Sequence, residues 1–461
     1  MGNAHKPVSK SKSLETEKLE IVFERVVASG KRAAGSLQKT TVSEEDYQNV
    51  FVGSKEFASL LFHHCLRSCH NLSTPHCLTK AEFINTMQPL FSAACSQTKD
   101  ALYYLLFDIF SNGKDNINKE DLERLISECC ILSLTVTLAA DFNRCTETSL
   151  KQNDVFQAFQ QSLMSNRDVV SFDELVDWLS VNAPDLFDGI QSWLQRALDS
   201  MKDTYYTVPQ LKDLSQQFVD TRASLDTSVV WLLTTILPHC YTVLDTVLDK
   251  HQSSRSRAAD TQVPVTSIPC FSLLYDSREQ GHSLNRFEHH VFGYRGPTLL
   301  ILKMEKGLTF VVAIDAEWRD SPAQWGDSNC LLLQMTPTWN VIDSGSKLLY
   351  YHCRSTGKHR GLIVGKDIES PVISTEDLNS ASLKLSRKQL RQHDISILSV
   401  EVWGCGSAES ADAQKEYRRW ELRQIEKQRK VPLPGRWDDN PDKTLLELAG
   451  RTVDHAERPD L

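Results

Sequence analysis

The residues best suited to chemistry in this sequence lie in one segment, Gly326-Asp327-Ser328-Asn329-Cys330. It supplies an acid, a hydroxyl and a thiol, and three histidines that could act as a base occur earlier in the same region: His282, His289 and His290. A cysteine nucleophile requires a lowered thiol pKa, whereas Leu331-Leu332-Leu333 after Cys330 indicates a buried strand, in which burial raises that pKa. Asp327-Ser328-Asn329 is typical of a turn whose side chains hydrogen-bond the backbone. A structural role for this segment is therefore favoured over a nucleophile and base.

The sequence contains none of the motifs of the common enzyme classes. There is no Gly-x-Ser-x-Gly elbow, Walker loop, dinucleotide-binding glycine pattern or His-Glu-x-x-His. We therefore expect a protein that is not an enzyme, with no catalytic residue and no cofactor. An antioxidant or other cysteine-dependent activity is the alternative that remains open.

A cluster of histidine and cysteine raises the question of a metal site. It reads His63-His64-Cys65-Leu66-Arg67-Ser68-Cys69-His70, followed by His76-Cys77. Structural zinc sites take two ligand pairs of fixed spacing, but a helix would place Cys65 and Cys69 one turn apart, and no second pair of fixed spacing follows. We expect residues of a helix face and a loop, without a metal.

The first half of the chain carries a weak repeat of an apolar residue, a Ser, Thr or Asn, and an acid. Four segments follow it: Val42–Tyr47, Leu78–Phe83, Ile117–Leu122 and Val170–Leu175. Each resembles a capping box and predicts a helix start. The same pattern ends an EF-hand calcium loop, but Ser111–Asn116 is one residue short and lacks a leading acid, and the positions before Val170 fall on Leu163, Ser165 and Arg167. The pattern predicts degenerate EF-hand-like pairs without tight calcium binding.

The amino-terminal arm offers a lipidation site. Gly2 follows the initiator Met as an N-myristoyl acceptor must, although Lys6 stands where a Ser or Thr is usual. One myristoyl chain binds membranes only marginally, and the positive charge of Lys6, Lys10 and Lys12 would supply a second signal. From the motif alone, an acylated arm and an unmodified one are equally compatible with the sequence.

A basic stripe occurs near the carboxy terminus, within residues 411–430. It consists of Lys415, Arg419, Arg423 and Lys427, which recur every fourth residue. This spacing places them on one face of a helix, with Tyr417, Trp420 and Ile425 on a thin apolar side. The segment carries a net charge of +3 in a chain of net charge −9. A solvated face and a surface for an acidic partner or headgroups both fit this pattern.

The elements that would position these groups are helices in the first half of the chain and strands in the second. The predicted organisation is a flexible arm (1–13), a helical region (14–250), a linker (251–268), a β-sandwich domain (269–406), a helical extension (407–453) and a disordered tail (454–461). The helical region ends in an apolar, buried helix in Leu225–Leu248, which Pro238 interrupts. The linker is marked by serine, arginine and proline.

Short β-branched and aromatic runs predict the sandwich. Five have strand length: Thr298–Met304, Phe310–Ile314, Cys330–Met335, Leu348–Cys353 and Ile395–Trp403. In the last, Leu398, Val400 and Val402 alternate with Ser399 and Glu401, which predicts one buried face. Runs joined by turns favour a mostly antiparallel sandwich, so the fold class is α+β, with an all-α EF-hand-like region, a sandwich with flanking helices and a carboxy-terminal helix.

Composition sets further bounds. The 461 residues predict two or three domains, and the net charge of −9 argues against nucleic-acid binding. No run approaches about 18 apolar residues, and the first residues lack the apolar core of a signal peptide. We therefore expect a cytosolic protein whose contact with a membrane is peripheral.

Four motifs in one order relate the chain to a known family. They are Leu274-Tyr275-Asp276-Ser277-Arg278-Glu279-Gln280-Gly281-His282-Ser283-Leu284, Gly296-Pro297-Thr298-Leu299, Gly326–Cys330 and Val400-Glu401-Val402-Trp403-Gly404. On these motifs the chain resembles the TLDc family. The start Met1-Gly2-Asn3, the helical first half and the tail motif Leu433–Pro441 are similar to the branch of that family called mEAK.

The resemblance implies a function. TLDc proteins bind the peripheral sector of the vacuolar proton ATPase, and the mEAK branch is N-myristoylated and associated with mTOR signalling and stress resistance at lysosomes. The chain is thus expected to be a membrane-tethered adaptor on the cytosolic face of the lysosomal membrane, with Gly2 acylated. Because TLDc proteins are also known for protection against oxidation, the enzymatic alternative stays open.

Overall fold

The computed structural model of the protein describes residues 14–31, 40–51, 53–69, 76–96, 98–136, 150–165, 167–198, 210–211, 224–242, 270–354, 357–385 and 392–429, with Leu445 and Leu448. The predicted arm (1–13), linker (251–268) and tail (454–461) lie outside the described residues. So does the tail motif at 433–441. The described residues up to Ala411 form one unit, and those from Asp412 onward form a second.

The described elements are those of an α+β protein, as predicted. The helices are α1 (Leu14–Lys31), α2 (Glu44–Val50), α3 (Lys55–Ser68), α4 (Lys80–Cys95), α5 (Asp100–Phe110), α6 (Lys119–Val136), α7 (Asp154–Met164), α8 (Phe172–Asn182), α9 (Asp188–Leu198), α10 (Thr227–Thr234), α11 (His239–Thr242), α12 (Ser277–Gln280), α13 (Leu284–Val291) and α14 (Ala408–Arg429). The strands are β1 (Thr41–Val42), β2 (Leu78–Thr79), β3 (Asn116–Asn118), β4 (Val169–Ser171), β5 (Gln210–Leu211), β6 (Cys270–Asp276), β7 (Thr298–Met304), β8 (Leu308–Ile314), β9 (Ser321–Trp325), β10 (Leu331–Thr336), β11 (Asn340–Ser344), β12 (Leu349–His352), β13 (Gly361–Val364), β14 (Ile373–Thr375), β15 (Ser380–Leu383) and β16 (Gln392–Gly404).

The four predicted helix starts are confirmed. At Ser43 and Thr79 the backbone amide donates to the acid three residues on at 2.8 Å, and at Ser171 it does so at 3.0 Å. Asn118 instead accepts from the amide of Asp121 at 2.8 Å. Because these bonds satisfy amides that a helix start leaves unpaired, each cap stabilises its helix by about 1 kcal/mol.

The helices are joined in pairs through their loops. β1 pairs with β2, and β3 pairs with β4 with Ile117 opposite Val170; both bridges are antiparallel. Each bridge joins two helix-loop-helix units. We call the first two units, α1–α4, the first helical pair and the next two, α5–α8, the second helical pair. The predicted apolar helix is also present as α10, whose residues 229–233 are all buried. Trp231 in its centre stacks on Phe156 of α7 at a centroid distance of 6.1 Å.

One long strand organises the sheet. Within the described residues a sheet of 12 strands runs β11-β10-β8-β7-β16-β15-β14-β13-β12-β9, with β6 beside β16 and β5 parallel to β6. The carboxy-terminal part of β16 pairs with β7 and β6, and its amino-terminal part pairs with β15. The sheet thus folds over into two layers, which enclose one core.

The layer of β6, β7, β8, β10 and β11 is covered on both faces. Leu300 and Leu302 of β7 join the core between the layers. Leu299 and Ile301, on the opposite face, join a second core that includes Trp231 and the other buried helical residues. The helices before the predicted linker and the sheet after it therefore share a hydrophobic core.

The prediction that β16 has one buried face is wrong at three positions. Leu398 is 60% exposed, whereas Ser399 and Glu401 are buried. The register against β7 shifts between Ile397 and Ser399, and this bulge turns Leu398 outward. Beyond the bulge, Val400 and Val402 enter the core between the layers, while Trp403 belongs to the core shared with the helices. Glu401 lies on the same face of β16 as Trp403, and the helices cover this face.

Candidate functional site

The turn at Gly326–Cys330 is built around an acceptor outside it, Asp315 at the end of β8. The Asp315 carboxylate accepts from the backbone amides of Asp327 and Asn329, both at 2.9 Å, and from the Cys330 thiol at 3.0 Å. Burial opposes ionisation of Asp315, but these three hydrogen bonds hold its pKa below the ordinary value. A turn is present, as predicted, but the side chain that accepts from its backbone amides is that of Asp315, which the sequence pattern missed, and not one of Asp327-Ser328-Asn329.

Cys330 is a buried, protonated thiol. Burial, together with the neighbouring Asp315 carboxylate, raises its pKa to about 12. Among the described residues, its hydrogen-bond partner is this carboxylate, while Nδ1 of His282 lies 2.9 Å from the carbonyl of Leu378. A thiol of this pKa is a poor nucleophile at neutral pH.

A guanidinium group occupies the loop that would have bound calcium in the second helical pair. Arg67 of α3 donates to Asn112 Oδ1 at 2.5 Å, to the carbonyl of Asp108 at 3.0 Å and to its carboxylate at 3.3 Å. The adjacent Gly113, with φ +75°, leaves only 3.2 Å between an ideal Cβ and Arg67 Nε. Calcium requires several oxygen ligands, and here one loop oxygen, that of Asn112, and two oxygens of Asp108 on the helix before the loop already face a cation.

Two residues of the histidine and cysteine cluster, His64 and Cys65, are buried among the helices. Cys65 lies between the Tyr47 hydroxyl at 3.6 Å and the Met87 sulfur at 3.7 Å, and burial raises its pKa to about 11. His64 Nδ1 is 2.8 Å from the Asp108 carboxylate, and burial lowers the pKa of this imidazole. Within the described ranges, no group of three His, Cys, Asp or Glu side chains is placed to hold a metal ion.

The buried Glu401 is the centre of a polar network that the sequence pattern did not reveal. Its carboxylate accepts from Arg278 Nη2 at 2.7 Å, from the hydroxyl of Ser224 at 2.6 Å and from Trp403 Nε1 at 3.0 Å. The Ser224 amide adds a bond at 3.1 Å. Arg278 also binds the Asp276 carboxylate through Nη2 at 2.7 Å and Nε at 3.0 Å. Because Ser224 lies three residues before the start of α10, this network ties the helical region to the sheet.

The predicted basic stripe lies on α14. Lys415, Arg419 and Arg423 are exposed on consecutive turns, and the side chain of Lys427 lies outside the described residues. Lys415 pairs with Asp412 at 3.2 Å, and Arg423 Nε donates to the carbonyl of Arg419 at 3.2 Å. Both contacts are within the helix, so they leave the stripe accessible.

Large apolar side chains accompany the stripe. Four of them are exposed on α14: Tyr417 (44%), Trp420 (50%), Leu422 (57%) and Ile425 (44%). The rings of Tyr417 and Trp420 lie 5.9 Å apart, one turn from each other. Adjacent exposed apolar side chains bordered by charged residues are a feature of surfaces that contact a partner. Together with the basic stripe they define the α14 surface.

The predicted lipidation residue, Gly2, lies outside the described residues. Among the helices that are described, none combines the length and apolar character needed to cross a bilayer. Attachment of Gly2 to a lipid stays a prediction.

The region that contains the sheet is similar to a known domain. A sequence model of the TLDc domain matches residues 251–406. Restriction of telomere capping protein 5 of Pyricularia oryzae is 26% identical over 255 residues, which covers 39% of this chain and 40% of that protein. Its namesakes in Colletotrichum graminicola and Neurospora crassa are 27% and 25% identical, covering 38% and 39% of this chain and 39% and 41% of those proteins. The chain spans about two fifths of the length of the curated relatives it matches.

Proposed function

Residues 251–406 of this chain belong to the TLDc domain family, and on that premise we propose that the chain is a membrane-tethered adaptor that binds the peripheral sector of the vacuolar proton ATPase. The mEAK-type features are part of the same proposal. They are acylation of Gly2, residence on the cytosolic face of the lysosomal membrane, and support of mTOR signalling and stress resistance.

The observation that carries the proposal is the α14 surface. It combines exposed cations with four exposed apolar side chains, and protein interfaces are built from such aromatic and arginine anchors. In a chain of net charge −9, this local positive charge favours an acidic partner surface over a basic one. The pump's peripheral sector is the partner that TLDc membership suggests.

The motif residues support an adaptor over an enzyme. Cys330 is buried against Asp315, and Glu401 is buried in a network that joins two parts of the chain. The motif groups most suited to chemistry thus have structural partners, which is what a binding module needs. A cysteine-dependent antioxidant activity would instead require a reactive thiolate. Peroxide consumption by the purified chain, compared with Cys330→Ala, distinguishes the two, and turnover lost in the variant would favour the enzyme.

Charge reversal on α14 tests the proposal. The full chain and its variant Lys415→Glu/Arg419→Glu/Arg423→Glu/Lys427→Glu are used as bait for detergent-solubilised lysosomes. We expect the parent to recover peripheral-sector subunits of the pump and the variant to lose them, because attraction becomes repulsion. Recovery by the parent should also fall as salt rises above physiological strength, where the screening length is about 8 Å.

A matched control uses the acids of the same helix. Glu416→Lys/Glu426→Lys also changes exposed charge on α14 but increases its positive charge, so recovery should persist or rise. Thermal melts should stay close to the parent for both variants, since surface substitutions shift stability by less than about 0.5 kcal/mol each. If the parent recovers no pump subunit, the proposed function is wrong. If the four-site variant binds as the parent does, the stripe is a solvated face and binding lies elsewhere.

A further inference from the structure

The tip of the hairpin between β10 and β11 is inserted into the helical region. Trp339 lies in this connection, yet its side chain is fully buried, whereas connections normally lie at the surface. Its ring packs edge-on against Phe159 of α7 at 5.3 Å, and Phe159 packs edge-on against Trp178 of α8 at 4.9 Å. The indole is therefore seated against an aromatic wall formed by the two last helices of the second helical pair.

The polar atoms of the tip are bound as well. Trp339 Nε1 donates to the carbonyl of Asn182 at 2.9 Å, and the Val341 amide donates to the Asn182 side chain at 3.2 Å. On α7, the Trp339 amide lies 3.4 Å from the carbonyl of Ala158, and the Ser162 hydroxyl donates to the Trp339 carbonyl. Both helices thus hold the main chain of the tip, and one of them also holds the indole N–H.

A buried anchor side chain together with hydrogen bonds to the main chain is the combination found in a bound peptide. Peptide ligands obtain affinity from main-chain hydrogen bonds and specificity from a pocket for an anchor side chain, and tryptophan is among the strongest anchors. A tryptophan can be buried in the core without a hydrogen bond from its indole nitrogen, as a second buried tryptophan shows. The indole nitrogen of Trp231 has no hydrogen-bond partner among the described atoms, although its ring is equally buried.

We propose that α7 and α8 form a peptide-binding groove specific for an extended segment with an indole anchor, and that Trp339 is its resident ligand. The aromatic wall selects a flat ring, and the Asn182 carbonyl selects a ring that can donate a hydrogen bond. The hairpin is part of the same chain, so its effective concentration at the groove is high, and a free segment of the same chemistry is excluded while the hairpin is seated. The groove shares no residue with the α14 surface and does not depend on the proposed binding to the pump.

The test empties the anchor position of the full-length chain with Trp339→Ala. The probes are free indole, benzene and a synthetic peptide of residues 334–343, which contains the tryptophan. We expect indole and the peptide to raise the melting temperature of the variant and leave the parent unchanged. Benzene should raise the melting temperature less, because it has no N–H group to donate to the Asn182 carbonyl. The peptide should bind the variant at least tenfold more tightly than the parent, and the same peptide with Trp339→Ala should not bind.

Trp231→Ala is the matched control, since it also removes a fully buried tryptophan. In Trp231→Ala, indole should raise the melting temperature no more than benzene does. A folded Trp339→Ala chain that responds to neither indole nor the peptide would overturn the proposal, as would equal responses to both peptides. If Trp339→Ala does not fold, Trp339→Phe retains the ring packing and removes the donor. The peptide should then bind this variant more tightly than the parent, and equal binding would overturn the proposal.

Discussion

Glu401→Ala should destabilise the protein far more than Leu398→Ala on the same strand. Alternation along β16 would give the opposite order, because it places Leu398 in the core and Glu401 at the surface. The structure places Glu401 at 0% exposure and Leu398 at 60%. Measuring both variants therefore distinguishes a strand with one covered face from a strand covered on both.

The magnitude follows from the partners that Glu401→Ala leaves behind. The Ser224 hydroxyl and amide and Trp403 Nε1 lose a buried acceptor, and each orphaned group costs about 1–3 kcal/mol. Arg278 keeps the Asp276 carboxylate, so its charge is not stranded. We expect a loss of about 3–5 kcal/mol in the free energy of unfolding, the lower part of the range that three orphaned groups give.

Two further variants complete the comparison. Glu401→Gln keeps the shape and one acceptor oxygen, so its loss should be intermediate. Leu398→Ala removes a mostly solvated side chain and should cost less than about 1 kcal/mol. The assay is urea denaturation of the full-length variants, followed by far-ultraviolet circular dichroism, with midpoints and slopes compared. A loss for Leu398→Ala equal to or larger than that for Glu401→Ala would refute the reasoning, as would a Glu401→Ala chain as stable as the parent.

Three other outcomes are expected. Millimolar calcium should leave helix content and melting temperature nearly unchanged, because Arg67 already binds the oxygens of Asn112 and Asp108; a rise of several degrees would contradict this, since a ligand stabilises the folded state it binds. Gly2→Ala should release the protein from membranes in fractionation, and a variant as membrane-bound as the parent would place the tether in the sheet domain or its partner. Cys330 should resist iodoacetamide at pH 8 while the exposed Cys95 reacts, because a thiol of pKa about 12 is ionised in only about one molecule in ten thousand at that pH. Its raised pKa keeps the native thiol protonated until the pH approaches that value, so modification of Cys330 as fast as that of Cys95 would show that the site opens.

Local features of the fold were predictable from the sequence. The four capping segments place their donors and acceptors within three residues of each other, and each of them begins a helix. Strand β7 has the predicted bounds, Thr298–Met304, because a continuous apolar run needs no knowledge of its neighbours. The TLDc motifs were likewise readable, and the family match at residues 251–406 confirms them. For the candidate site, the sequence identified the stripe on α14 and the turn before Cys330.

The roles of Glu401, Trp339 and Asp315 were decided by the tertiary structure. Glu401 meets Ser224 across 177 positions of sequence, and Trp339 meets Asn182 across 157. Alternation of polar and apolar residues identifies a buried face only when the other face meets water, and here the helices cover that other face. A polar side chain at such a position is stable because distant groups satisfy it. Local spacing sets which residues form a helix or strand, but the partner that makes a buried carboxylate or an inserted indole stable comes from a remote part of the chain, so no local pattern predicts it.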